Sequence, residues 1–80
     1  MFINKAADHT NNLCGRQVAL FRKQLKISQR ELADRLQLIG LDMDKNAIQR
    51  IESGQRFVTD IELRALGQVL NRSLEELVGG

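Results

Sequence analysis

The chain has 80 residues, of which 42% are hydrophobic, and a formal net charge of +2. This length allows one small domain that buries about 60% of the surface of its unfolded chain. No apolar run approaches the roughly eighteen residues of a membrane span, and the first residues lack a signal-peptide pattern, so we expect a cytoplasmic protein without membrane contact. One cysteine and one histidine allow neither an intramolecular disulfide nor a zinc site, and we expect no metal or cofactor.

Helix-forming residues dominate the composition and Pro, Trp and Tyr are absent, which predicts an all-α fold. The charge is unevenly distributed. Residues 16–56 hold nine Lys or Arg against five Asp or Glu, a balance of +4, whereas the rest of the chain holds three against five, a balance of −2. The basic part of the chain is therefore its middle, which favours an anionic partner for that region.

The first twelve residues differ from the rest of the chain. They show no sustained helical periodicity, and the polar run at residues 8–12 consists of cap and turn formers. We interpret residues 1–12 as an extended or mobile N-terminal arm and residues 13–80 as one domain. Phe2 and Ile3, near the start of the arm, could pack on the domain, pair with a partner chain or be disordered.

The first helix is predicted over residues 13–26. Val18, Phe21 and Leu25 mark its apolar face. Cys14, at its start, is expected to be a buried and inert thiol.

A capping box begins the second helix. Ser28 can accept the backbone N–H of residue 31 while Glu31 reaches back to the N–H of Ser28, which predicts a helix from Ser28 to about Leu38. Asp44 is a suitable N-cap for a third helix, and its charge suits a helix N-terminus. The third helix should stop at Gly54, since glycine commonly ends helices.

The residue spacing in the second and third helices separates an inner face from an outer one. The apolar residues that lie three or four apart, and would share a core, are Leu32, Ala33, Leu36, Ile48 and Ile51. The polar residues left to face outward are Lys45, Asn46, Gln49 and Arg50. Side chains of these types match base edges in a DNA major groove, so DNA binding is the working hypothesis. The alternative is an ordinary solvated helix face.

Two further capping boxes, at residues 59–62 and 73–76, predict a fourth helix that ends near residues 71–72 and a short fifth helix. The apolar residues expected to pack along the fourth helix are Ile61, Leu63, Ala65, Leu66, Val69 and Leu70. Those expected to pack along the fifth are Leu74, Leu77 and Val78.

Three segments in this order resemble one protein family. They are Ser28-Gln29-x-Glu31-Leu32-Ala33, then Ile48-x-Arg50-Ile51-Glu52-x-Gly54, and then Ser73-Leu74-Glu75-Glu76-Leu77. With the Leu-rich fourth helix, they resemble the Cro and phage-repressor type of helix-turn-helix protein, also called the XRE family. The resemblance covers about residues 14–78. It implies a compact five-helix bundle of the phage-repressor DNA-binding type, with the helix-turn-helix in helices 2 and 3.

The chain departs from the family pattern between Leu36 and Ile48. Family members usually have a tight turn there, whereas this chain carries several additional residues around positions 38–43. These residues could extend helix 2 or add a hydrophobic wedge without changing how helix 3 docks. The lengthened turn could also alter the angle of helix 3 and hence the exact base contacts.

The resemblance makes helix 3 the recognition helix, whose N-terminal residues lie nearest the bases. The base-contacting residues that it implies are Lys45, Asn46, Ala47, Gln49 and Arg50. The phosphate-contacting residues that it implies are Gln29, Arg30, Ser53, Gln55 and Arg56. Arg30 could equally be a plain surface charge. Arg22 and Glu52 occupy positions that form a structural salt bridge in many members of the family.

The function implied by the resemblance is that of a transcriptional regulator, commonly a repressor, which binds double-stranded operator DNA as a homodimer. The second hypothesis is a protein-interaction module, such as an antitoxin or a partner of another regulator. The sequence leaves two candidates for the dimer interface, namely the last two helices and the N-terminal arm. An enzyme has the least support, because the single His lies in the arm and the sequence has no Gly-rich phosphate loop and no evident nucleophile with its base.

Overall fold

The computed structural model describes residues 14–78, which form five α-helices and, within that range, no strand. The helices are α1 (Gly15–Gln24), α2 (Gln29–Leu38), α3 (Lys45–Glu52), α4 (Asp60–Leu70) and α5 (Leu74–Leu77). The predicted all-α, five-helix fold is confirmed. The predicted N-terminal arm, with Phe2 and Ile3, and the last two glycines lie outside the described residues. Within the described range, none of the helices is long and apolar enough to cross a membrane.

The three predicted capping boxes all form. In the first, Ser28 Oγ accepts from the backbone N–H of Glu31 over 3.0 Å and the carboxylate of Glu31 accepts from the N–H of Ser28 over 3.1 Å. The same reciprocal pair joins Thr59 to Glu62 at the start of α4 and Ser73 to Glu76 at the start of α5. Each box satisfies two backbone donors that a helix N-terminus otherwise leaves without a partner.

The core is made of side chains from all five helices and the segments between them. Its buried members are Cys14, Val18, Phe21, Ile27, Leu32, Ala33, Leu36, Met43, Ile48, Ile51, Leu66, Leu70 and Leu77. The helix-turn-helix residues that the sequence assigned to a shared core are all in this set. The apolar side of α3 therefore packs on α1 and α2, which fixes the opposite side toward solvent.

Four predicted core residues lie at the surface instead. Leu25 is 43% exposed because α1 ends at Gln24 and the chain turns away from the apolar face at its C-cap. Ile61 is 75% exposed in the first turn of α4, on the side away from the core. Leu74 and Val78 are 48% and 37% exposed, because one turn of α5 brings only Leu77 into the core.

The C-terminal ends of α1 to α4 share one form of backbone turn. After α2, the N–H of Gly40 donates to Gln37 and the N–H of Leu41 donates to Leu36, both over 3.0 Å, as in a Schellman motif. This motif needs a residue with positive φ, which Gly40 supplies at 93°. At the end of α1 the same position is held by Lys26, with φ of 59°, where a side chain is costly.

The lengthened turn between α2 and α3 is ordered by its own contacts. Helix α2 ends at Leu38, as predicted, so the additional residues do not extend it. Met43 is 3% exposed within the core, Leu41 packs against the core, and the side-chain amide of Gln37 donates to the carbonyl of Met43 over 3.3 Å. The second of the two sequence-based alternatives, a hydrophobic wedge, describes this turn.

The close approach of α4 to the α4–α5 turn depends on a glycine. A Cβ at Gly67 would lie 2.8 Å from the carbonyl oxygen of Arg72, so a larger residue would push the turn outward. Arg72 in turn lies over the ring of Phe21, 4.3 Å from its centroid, and donates to Gln24 and Glu76. These contacts fasten the C-terminal part of the fold to α1.

Candidate nucleic-acid interface

The outward side of α3 presents polar side chains in a short stretch. Lys45, Asn46, Gln49 and Arg50 are exposed, whereas Ile48 and Ile51 are completely buried. Within residues 14–78, none of the four outward side chains forms a hydrogen bond or an ion pair. Ala47, the fifth predicted base contact, is half-buried and packs against the core. We call the four exposed residues the recognition face.

The N-terminal end of α3 is capped as the sequence predicted. The carboxylate of Asp44 accepts from the backbone N–H of Ala47 over 2.8 Å, and Asp44 itself is exposed. An acidic side chain here also suits the partial positive charge of the helix N-terminus. The cap fixes the direction in which α3 starts and places Lys45 and Asn46 in its first turn.

The C-terminal end of α3 is fastened by charged and polar side chains. Arg22 Nε lies 2.7 Å from Glu52 Oε2, and its Nη2 donates to Glu52 Oε1 over 3.1 Å. Arg22 Nη1 also donates to the carbonyl of Ile27, and Gln29 Nε2 donates to Glu52 Oε1 over 3.1 Å. We call Arg22, Gln29 and Glu52, with the Ile27 carbonyl, the Glu52 cluster.

The Glu52 cluster is largely shielded from water. The side chains of Arg22 and Glu52 are 12% and 9% exposed, and the hydrogen bond to Glu52 raises the pKa of Arg22 above its ordinary value. The cluster joins α1, the start of α2 and the end of α3, and so fastens the C-terminal end of α3 to the rest of the fold. The structure contains the ion pair between Arg22 and Glu52 that the resemblance implied.

The predicted phosphate contacts lie in different surroundings. Gln29 is partly buried and its side chain is engaged by Glu52, whereas Arg30 beside it is exposed. Ser53 and Gln55 are exposed at the end of α3, where the Ser53 hydroxyl donates to the carbonyl of Arg50 over 3.2 Å. Of these residues, Gln29 and Ser53 would have to break an internal hydrogen bond before donating to an approaching anion.

Arg56 is held by an ion pair that sequence reasoning missed. Its Nη1 and Nη2 lie 2.9 and 2.7 Å from the two carboxylate oxygens of Glu62, and Nη1 also donates to the carbonyl of Phe57. The hydrogen bonds from Arg56 lower the pKa of Glu62 below its ordinary value. Since Glu62 also completes the α4 capping box, no pattern in the sequence indicated this second role.

Outside the recognition face, the group to consider for reactivity is Cys14, which is a free and buried cysteine. Burial raises the pKa of the Cys14 thiol to about 11, which leaves it protonated and poorly nucleophilic at neutral pH. Among residues 14–78 there is no group of three or more His, Cys, Asp or Glu side chains that could hold a metal ion.

Comparison with known proteins gives one match. A family model described as helix-turn-helix matches residues 18–77, which is most of the chain and includes all of α2 to α5. Neither a curated protein nor a solved structure shows significant similarity to the chain.

Proposed function

Because the chain belongs to the Cro and phage-repressor type of DNA-binding helix-turn-helix regulators, we propose that it is a sequence-specific repressor that reads operator DNA with α3. The observation that carries the proposal is the recognition face. Its four polar side chains have no bond to give up within the described residues, and the helix that bears them is fixed at both ends. Such a helix can enter a major groove without rearranging the fold.

The base contacts in this proposal come from the recognition face. Lys45 and Arg50 offer donors to guanine O6 and N7, and Asn46 can pair with adenine N6 and N7, at about 1 to 3 kcal/mol of discrimination for each good bidentate pair. Gln49 lies between them on the exposed side of α3, and Ala47 offers a small apolar contact to a thymine methyl group. The half-buried position of Ala47 makes it the least accessible of the five.

The phosphate contacts come from the start of α2 and the segment after α3. Arg30 contributes most among the predicted residues, since it is exposed and charged. Gln29 acts mainly by holding Glu52, and the first backbone N–H groups of α2 add partial positive charge beside it. Ser53 and Gln55 contribute hydrogen bonds, whereas Arg56 contributes less because Glu62 already neutralises it.

The homodimer in this proposal forms through the surface of α4 and α5. Ile61 and Leu74 are 75% and 48% exposed and line one apolar groove together with Leu63. Asp60 and Arg64 lie on the same groove, so two copies related by a two-fold axis can pair acid with base. Changing Ile61 to Glu should convert a dimer into a monomer in sedimentation equilibrium, and an unchanged mass would move the interface elsewhere.

The experiment that tests the proposed function is selection of bound duplexes from a random DNA pool. Affinity for the selected duplex and for a scrambled one is then measured at two salt concentrations. We expect a roughly palindromic motif, tighter binding of the selected duplex, and affinity that falls as salt rises. Equal affinity for both duplexes, or no enriched motif, would favour the protein-interaction hypothesis instead, and a stable co-purifying partner would then be sought.

A further inference from the structure

A groove between α2 and α3 opens beside the recognition face. The volume of this open groove is about 370 Å³. Its polar lining comes from the outer side of α2, from the N-cap of α3 and from the first residues of α3, namely Arg30, Asp34, Gln37, Asp44, Lys45 and Asn46. The groove therefore lies where the proposed docking brings the DNA to α3.

The charge of this groove does not suit a phosphate alone. Two cations, Arg30 and Lys45, are balanced by two carboxylates, Asp34 and Asp44, so the lining has no net charge. A phosphate-binding site is expected to carry an excess of cations, because phosphate binding is governed by charge neutralisation. A mixture of donors and acceptors instead matches the edges of bases, which also present both.

Asp44 has acceptor capacity that the helix cap does not use. Its Oδ1 accepts from the N–H of Ala47, while a carboxylate offers about four acceptor positions on two oxygens. The residue is exposed and immediately precedes Lys45, and both side chains line the groove. An acceptor and a cationic donor are thus presented side by side at the end of α3 that the docking places nearest the bases.

We propose that Asp44 is a specificity-determining residue that accepts a hydrogen bond from the N4 amino group of a cytosine. Lys45 donates to O6 or N7 of the guanine in the same pair. In the major groove a C·G pair presents this donor next to two acceptors of the guanine, O6 and N7, whereas an A·T pair presents the adenine amino group next to thymine O4 as the single acceptor of its partner base. Thymine or guanine facing Asp44 would offer an acceptor, which the carboxylate repels. The inference rests on the proposed function and names one base pair of each half-site.

The test compares Asp44→Ser with Asp42→Ser in the selection from a random DNA pool. Both changes remove one negative charge from the same turn, and serine is as good an N-cap as aspartate. Serine already caps α2 and α5 in this chain, so the Asp44 variant should stay folded and lose at most about 1 kcal/mol with the charge at the helix N-terminus. We expect it to lose the preference for cytosine at one position of each half-site by about tenfold, with the other positions unchanged.

The Asp42 variant separates base reading from general repulsion. It should bind all duplexes somewhat more tightly and select the unaltered motif, because it loses an exposed negative charge that does not line the groove. If the two variants behave alike, or if the native motif has no C·G pair whose preference depends on Asp44, the inference is overturned. A native protein that selects no motif would instead overturn the proposed function, and the inference with it.

Discussion

The Glu52 cluster and the recognition face use the same kinds of side chain for opposite purposes. Arg22 and Gln29 both donate to Glu52 and are largely or partly buried. Arg50 and Gln49, on the outer side of α3, are exposed and make no side-chain bond within residues 14–78. In this fold, an arginine or a glutamine supports the structure or is available to a partner according to its contacts and not according to its residue type.

The difference has a physical basis. A shielded charge whose partner is removed stays buried without compensation, so substitutions in the Glu52 cluster should act on the free energy of unfolding. An exposed side chain without an internal partner can be removed at little cost to folding. Its substitution should act on DNA binding alone. The two regions can therefore be separated by measuring stability and DNA selection on the same variants.

The largest expected effect is that of Arg22→Ala on stability. Among residues 14–78, the change leaves Gln29 as the remaining side-chain donor to the 9%-exposed carboxylate of Glu52, and we expect a loss of about 2 to 3 kcal/mol in urea unfolding. Lys23→Ala is the matched control, since it removes an exposed cation from the next position of α1. An equal, small effect of both changes would remove the structural role of Arg22.

The second prediction concerns Arg50→Ala in the recognition face. We expect the preference for one base of the selected motif to fall roughly tenfold, which corresponds to about 1.4 kcal/mol. The melting temperature should stay within about 4 degrees of that of the unaltered protein, since surface substitutions usually change stability by less than about 0.5 kcal/mol. A marked loss of stability, with the motif retained, would mean that Arg50 belongs with the supporting residues instead.

The parts of the fold that the sequence predicted well are local ones. Each helix start from α2 to α5 depends on a cap within three residues of the chain, so Ser28, Asp44, Thr59 and Ser73 could all be read without tertiary information. The helix-turn-helix core followed from periodicity for the same reason. The ion pair between Arg22 and Glu52, 30 residues apart, followed only from the family resemblance.

The wrong predictions concern core residues, because a local pattern does not determine which other elements cover a helix face. Periodicity places Ile61 and Leu74 on apolar sides of their helices, but whether another element covers that side is a tertiary property, and both are exposed. Arg56 stays a predicted phosphate contact that the resemblance implies, and the sequence does not indicate its second partner. Its pairing with Glu62 depends on how the loop at residues 55–58 folds back, which no local signal describes.

The third prediction uses pH to test the Arg56 pair. Arg56 lowers the pKa of Glu62 in the folded state, so this pair stabilises the fold above the ordinary glutamate value of 4.5, and the stabilisation is lost as pH falls through the lowered value. Glu62→Gln keeps the capping box but removes the charge, and should cost about 1 kcal/mol at pH 7. In thermal melts, the difference from the unaltered protein should shrink below pH 4.5. A difference that is constant from pH 7 to pH 3 would contradict the pairing.

The smallest expected effect is a gain, from Lys26→Gly at the end of α1. Lys26 has φ of 59°, a conformation that costs a residue with a side chain about 1 to 2 kcal/mol, whereas glycine adopts it freely. Glycine also loses more entropy on folding, so we expect a net stabilisation of about 0.5 kcal/mol in urea unfolding. Lys26→Ala is the control, because it removes the same charge but keeps the Cβ, and it should not stabilise the protein.

The Lys26→Gly variant also distinguishes the Glu52 cluster from the recognition face. The turn at Lys26 presents the carbonyl of Ile27 to Arg22, so a better turn strengthens the Glu52 cluster without touching the recognition face. The glycine variant should therefore unfold at higher urea and select the same DNA motif as the unaltered protein. A changed motif would mean that α3 shifts when the turn is relaxed, and the cluster would then set base preference as well as stability.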